Sequence, residues 1–122
     1  MRRYRLSELP GAGAGHVFRG IVSGLYIWQE AAVEFRRPSE VVPWSVHDDE
    51  EIYVILQGRA RVRLEGGVEQ VAAGDVIVIE PGERHQFESD EREPCVQMYV
   101  HCGPEPHPNQ ATHSREKGEQ CP

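Results

Sequence analysis

Four consecutive β-branched residues, Val76-Ile77-Val78-Ile79, set between Gly74-Asp75 and Pro81-Gly82, constrain this chain more than any other feature. A run that is apolar at every position has no side to offer water, so it belongs in a wall covered on both faces. Its ends are turn chemistry: glycine supplies positive φ, proline presets φ, and aspartate caps the bend. A second run, Ile52-Tyr53-Val54-Ile55, closes at Gly58. Beyond it, Ala60, Val62 and Leu64 alternate with Arg59, Arg61 and Arg63. That is the pattern of a half-exposed strand whose basic face is solvated or meets the acidic surface of another copy. Gly66-Gly67 then marks a hairpin. Short strands cut by 12 glycines and 9 prolines predict an all-β, single-domain barrel. A chain of 122 residues has room for one core, burying roughly two-thirds of the surface its unfolded form exposes.

Ligand-type side chains cluster around these two runs: His47 and Glu51 before one, His85 after the other. On a helix His47 and Glu51 would share a face, but the β-branched and aromatic residues that follow argue for strand. In a straight strand the pair would stand about 13 Å apart, at roughly 3.3 Å per residue. No single ion spans that at bond lengths of about 2 Å. Asp48-Asp49-Glu50 therefore has to turn and fold His47 back toward Glu51. Glu50 is a competing carboxylate, but its parity opposes that of Glu51. Two imidazoles and one carboxylate with open positions suit iron(II), and also manganese, nickel or zinc. The expected metal ligands are thus His47, Glu51 and His85. The bland alternative is a solvated polar pocket with no metal.

These two segments resemble the paired motifs of the cupin superfamily. The first motif reads His-x-His, three or four residues, Glu, six residues, Gly; here His47, Glu51 and Gly58 fit, and Ser45 stands where the first histidine is expected. The second reads Gly, five residues, Pro-x-Gly, two residues, His, three residues, Asn; Gly74, Gly82 and His85 fit, with Glu80 in place of the proline and Ser89 in place of the asparagine. The resemblance covers roughly residues 25–103 and implies a jelly-roll barrel with the metal inside it. It also implies a homodimer and a small-molecule substrate. The favoured function is a metal-dependent dioxygenase or oxidoreductase, with Glu51 and His85 as catalytic residues. One alternative is a metal-poor isomerase or cyclase, in which desolvation raises the Glu51 pKa for proton transfer with His85 as partner. Another is a cupin that only binds a small molecule. Ser45, a weak ligand because its hydroxyl stays protonated, is a candidate for holding a water or orienting a ligand.

The rest of the chain supplies candidates for the pocket and boundaries for the domain. Residues 1–24 read as an N-terminal arm, a Gly-Ala linker at 10–15 and a first strand; residues 25–103 read as the barrel. Residues 104–122 have almost no apolar content to repay ordering and read as a flexible tail, with His107 and His113 as bystanders. Trp44, delivered by the turn at 38–43, is either a pocket wall or ordinary core. Phe87 shares a side with His85, and Tyr53 lies in the run after Glu51. In Cys95–Cys102, Val96, Met98 and Val100 alternate with Gln97, Tyr99 and His101. Parity alone leaves either set inside; the apolar set is the preferred one, which would put Tyr99 and His101 at the surface rather than at the site.

Charge and composition exclude other classes. A formal charge of −7 opposes binding to a phosphate backbone. No apolar run approaches the ~20 residues of a membrane helix, and no apolar segment follows Arg2, Arg3 and Arg5 to make a signal peptide. Cys95, Cys102 and Cys121 lack CxxC spacing, so a reducing cytoplasm is expected.

Overall fold

The structure is a computed structural model that describes residues 1–9, 21, 26–103 and 113–115. The 10–15 linker, all of the proposed first strand but Ile21, and His16, His107 and Cys121 lie outside the described residues. Among the described residues there are ten strands: β1 (Arg2–Arg5), β2 (Tyr26–Arg36), β3 (Ser45–His47), β4 (Glu50–Gln57), β5 (Arg59–Leu64), β6 (Gly67–Ala72), β7 (Asp75–Ile79), β8 (His85–Ser89), β9 (Cys95–Gly103) and β10 (His113–Arg115). They form two antiparallel sheets, ordered β1-β7-β4-β9-β2 and β10-β3-β8-β5-β6, the two walls of a jelly-roll barrel.

The double-sided apolar runs have a simple cause. Tyr53, Ile55, Ile77 and Ile79 face the interior, where they meet Ala60, Val62 and Phe87 of the opposite sheet. Their neighbours Ile52, Val54, Val76 and Val78 point the other way and are covered by Leu9 and Ile21 of the N-terminal segment, together with Val100 and Cys102. Along these runs β4 and β7 are thus buried on both faces, whereas β5 exposes one. Its partly exposed arginines form ion pairs within the chain. Arg61 and Arg63 reach Glu88 on β8 at 2.8 and 3.2 Å, and Arg59 reaches Glu93 at 3.2 Å.

Three local readings are corrected. The hairpin between β5 and β6 turns at Glu65-Gly66, with Leu64 opposite Gly67, one residue earlier than expected. Residues 113–115, expected within a flexible tail, form β10 and pair with 45–47 of β3; backbone pairing needs no apolar side chains. On β9 it is Gln97, Tyr99 and His101 that face the interior with Cys95. The apolar Val100 packs instead under Leu9 and Ile21, beside a partly buried Met98.

Gly58 shows why a motif glycine is required. It adopts φ +81°, and a Cβ there would sit 2.1 Å from the Pro94 carbonyl oxygen, so any side chain is excluded.

Candidate metal centre

The turn demanded by spacing is present. His47 ends β3, Asp48-Asp49 bend, and Glu50 opens β4, which brings His47 Nε2 to 3.0 Å from Glu51 Oε1. Gly82 donates its N–H to the His47 carbonyl at 2.8 Å, tying the loop before His85 to this bend. His85, at the start of β8, then places Nε2 3.2 Å from the same Glu51 oxygen. The competing Glu50 points elsewhere and meets Arg2 at 3.3 Å.

A further imidazole joins them. In the β4–β9 register Glu51 stands opposite His101, and His101 Nε2 lies 3.3 Å from Glu51 Oε2. His47, Glu51 and His101 each offer a ligand atom within 4.8 Å of the others; His85, expected in the set, lies outside that group of three and joins it through its 3.2 Å contact with Glu51. Each sheet contributes two of the four: Glu51 and His101 from one, His47 and His85 from the other. The three rings meet edge to face, His47 being 5.1 Å from His85 and 4.7 Å from His101 between centroids. All four side chains are at most 2% exposed.

The remaining pocket candidates separate into two groups. Tyr53, Phe87 and Tyr99 lie inside the barrel beneath the cluster. The Tyr53 ring is 6.4 Å from His85 and 5.7 Å from Phe87, and the Tyr99 ring is 5.9 Å from His101. Ser45 is fully buried and pairs in register with His85. Trp44 is not part of the buried core: it is half-buried, with the Arg84 guanidinium 4.3 Å over its ring. An open cleft of about 550 Å³ runs between the β5–β6 hairpin and the 82–84 loop, with Leu64, Glu83 and Arg84 in its walls.

The donor set fits a divalent cation. His85 Nδ1 lies 2.9 Å from the Glu83 carbonyl oxygen, which can only accept, so that nitrogen carries a proton. His47 Nδ1 and His101 Nδ1 lie 2.8 and 3.0 Å from the Asp49 carboxylate, an acceptor of the same kind. In a neutral imidazole so held, Nε2 is a lone pair, and here all three Nε2 atoms converge on Glu51. Lone pairs facing a buried carboxylate repel it unless positive charge stands among them. Protons on Nε2 would relieve this singly. One divalent ion among His47, Glu51 and His101 would answer these lone pairs and balance both Glu51 and Asp49, with His85 beside it on Glu51. Glu51 Oε2 accepts no well-formed hydrogen bond among the described residues, which leaves it available to such an ion.

Burial alone would push Glu51 upward; when no ion is bound, hydrogen bonds donated by the His101, His47 and His85 imidazoles outweigh it and hold the carboxyl well below the usual carboxylate range, the same demand for positive charge beside Glu51 met by protons instead of an ion. This reverses the expectation of a raised Glu51 pKa. Desolvation is present, but three basic neighbours are stronger.

Residues 33–101 match a family model described as Cupin domain. No curated protein matches the chain. Among solved structures, a Cupin 2 conserved barrel domain protein from Salinispora arenicola is 24% identical over 84% of this chain and 75% of its own, with a TM-score of 0.58. A predicted oxalate decarboxylase from Thermotoga maritima is 29% identical over 59% of this chain and 64% of that one, at a TM-score of 0.56. The DMSP lyase DddQ from Ruegeria pomeroyi is 27% identical over 60% of this chain and 37% of that one, at 0.55. The match thus spans less than two-thirds of the last two proteins.

Proposed function

This chain belongs to the cupin family, and we propose that it is a metal-dependent enzyme in which His47, Glu51, His85 and His101 hold a divalent ion that takes a small organic substrate, with dioxygenase or oxidoreductase chemistry. The observation that supports this reading is the convergence of three Nε2 atoms on Glu51 while every Nδ1 is occupied elsewhere. Iron, manganese, nickel and zinc all accept this donor set. Such an ion supplies Lewis-acid or redox chemistry toward an oxygen-bearing substrate.

The chain's own residues do the rest. Asp49 and the Glu83 carbonyl keep Nδ1 protonated, so that Nε2 is the nitrogen each ring turns inward for an ion. Tyr53, Phe87 and Tyr99 close the barrel beneath the cluster and exclude water from that side. The cleft beside Arg84 is the proposed approach for substrate, because its walls include the residue before His85 and Leu64, which pairs with His85. Glu51 is held ionised, which favours it as a ligand and weakens the alternative in which it acts as a general acid. Two similar structures bear enzyme names, a predicted oxalate decarboxylase and a DMSP lyase, which favours catalysis over binding alone. A homodimer is part of the same proposal.

The test is oxygen consumption by iron(II)-loaded protein across a panel of small enols, diols and oxoacids. Uptake that follows substrate and stops on chelation is expected. Substrate turnover that persists undiminished after chelation would overturn the proposal in favour of acid–base chemistry.

A further inference from the structure

Asp49 was legible in the sequence only as part of a bend. Its carboxylate is 1% exposed and does more than close a turn. Oδ1 lies 2.8 Å from His47 Nδ1, which also meets the Asp49 backbone oxygen at 3.2 Å, while His101 Nδ1 meets both carboxylate oxygens, Oδ2 at 3.0 Å and Oδ1 at 3.2 Å. Those imidazoles arrive on different sheets, His47 on β3 and His101 on β9. His85 is independent of it, since the Glu83 backbone oxygen takes its Nδ1 at 2.9 Å. We propose that Asp49 is a positioning residue that fixes the tautomer and orientation of two metal-facing imidazoles at once, so that His47 and His101 act as a coupled pair and His85 does not. The metal-binding part of this inference rests on the proposed function; the tautomer part does not.

The physical reason is the shape of the acceptor. An ionised carboxylate has two oxygens and accepts on both, whereas an amide offers one oxygen and one NH₂ donor. In Asp49→Asn, His47 Nδ1 keeps the backbone oxygen of residue 49 as an acceptor, whereas His101 Nδ1, held by the side-chain oxygens, meets an NH₂ donor. His101 then shifts its proton to Nε2, where it points into the cluster and blocks a ligand position. Asparagine serves bends as well as aspartate does, so a residue needed only for the turn would tolerate the change.

The test has two arms. In the first, long-range ¹H–¹⁵N spectra of the metal-free protein at pH 8 report which imidazole nitrogens carry protons. Wild type is expected to show protonated Nδ1 on His47, His85 and His101. Asp49→Asn is expected to lose it on His101 and keep it on His47 and His85, which retain backbone acceptors. An unprotonated Nδ1 on either His47 or His101 in wild type overturns the proposal, and that reading needs no variant to fold. In the second arm, cobalt(II) titration is expected to weaken by about 10–100-fold in Asp49→Asn, with the metal-free thermal midpoint unchanged. Retained tautomers with affinity within about threefold of wild type would also overturn it. Wild type that binds no cobalt would remove the metal reading, and the spectra would still decide the role of Asp49.

Discussion

Replacing His101 with alanine separates the four-donor site from the set His47, Glu51 and His85. A zinc site of four protein ligands binds with roughly 10–16 kcal/mol, so an average donor carries about 3 kcal/mol. Loss of one such donor weakens binding by roughly a hundredfold. The geometry argues against a smaller effect. His101 stands directly opposite Glu51 in register and contributes Nε2 at 3.3 Å, and its removal also strips Asp49 of one of its two imidazole partners. Competition of purified protein against a chromophoric chelator for zinc or cobalt reads the affinity. Glu88→Gln, on the outer face of β8, serves as a control that keeps it. An affinity of His101→Ala within about threefold of wild type would refute the four-donor account and restore the three-residue set.

Other consequences follow from the fold. Gly58→Ala drives a methyl against the Pro94 carbonyl at a position of φ +81°, and is expected to cost about 3 kcal/mol or more in urea unfolding; a loss under about 1 kcal/mol would contradict the described contact. Burial works against ionisation of Glu88, but Arg63 and Arg61 win and hold its carboxyl below the usual 4.5. A carboxyl depressed on folding stabilises above its unfolded pKa, and that stability is lost as pH falls through the folded one. Glu88→Gln should therefore cost roughly 0.5–1 kcal/mol at neutral pH and almost nothing near pH 3, and an equal cost at both would remove the ion pairs from the account. Burial pushes the Cys95 and Cys102 thiols up to about 11. Peptide mapping after alkylation at pH 8 should find both unlabelled in the native protein and labelled after denaturation; rapid native labelling would contradict their enclosure.

The sequence carried the turn at 48–50 and the pairing of His47 with Glu51, because ligand spacing and strand rise are local quantities. His101 was not legible as a ligand. Alternation distinguishes inside from outside only when one face meets water, and β9 is covered on both, by the barrel on one side and by Leu9 and Ile21 on the other. Its polar face turns inward because the site is there, against the usual preference for apolar interiors. Asp49 hid for a different reason. Aspartate in a bend already has a sufficient explanation, and its contact with His101, 52 positions away, exists only once β4 and β9 are paired. Trp44 followed the same pattern, since its cover is Arg84 from another strand's approach. The pairing of β10 with β3 left no trace in composition, because a ladder of backbone hydrogen bonds asks nothing of side-chain polarity.

Metal content measured on untagged protein, stripped with chelator and reloaded, tests the central claim most directly. The account predicts one divalent ion per chain in wild type and none retained through gel filtration by Glu51→Gln, which keeps its shape and loses its charge. Wild type that holds no ion, or a Glu51→Gln protein that holds as much as wild type, would contradict it.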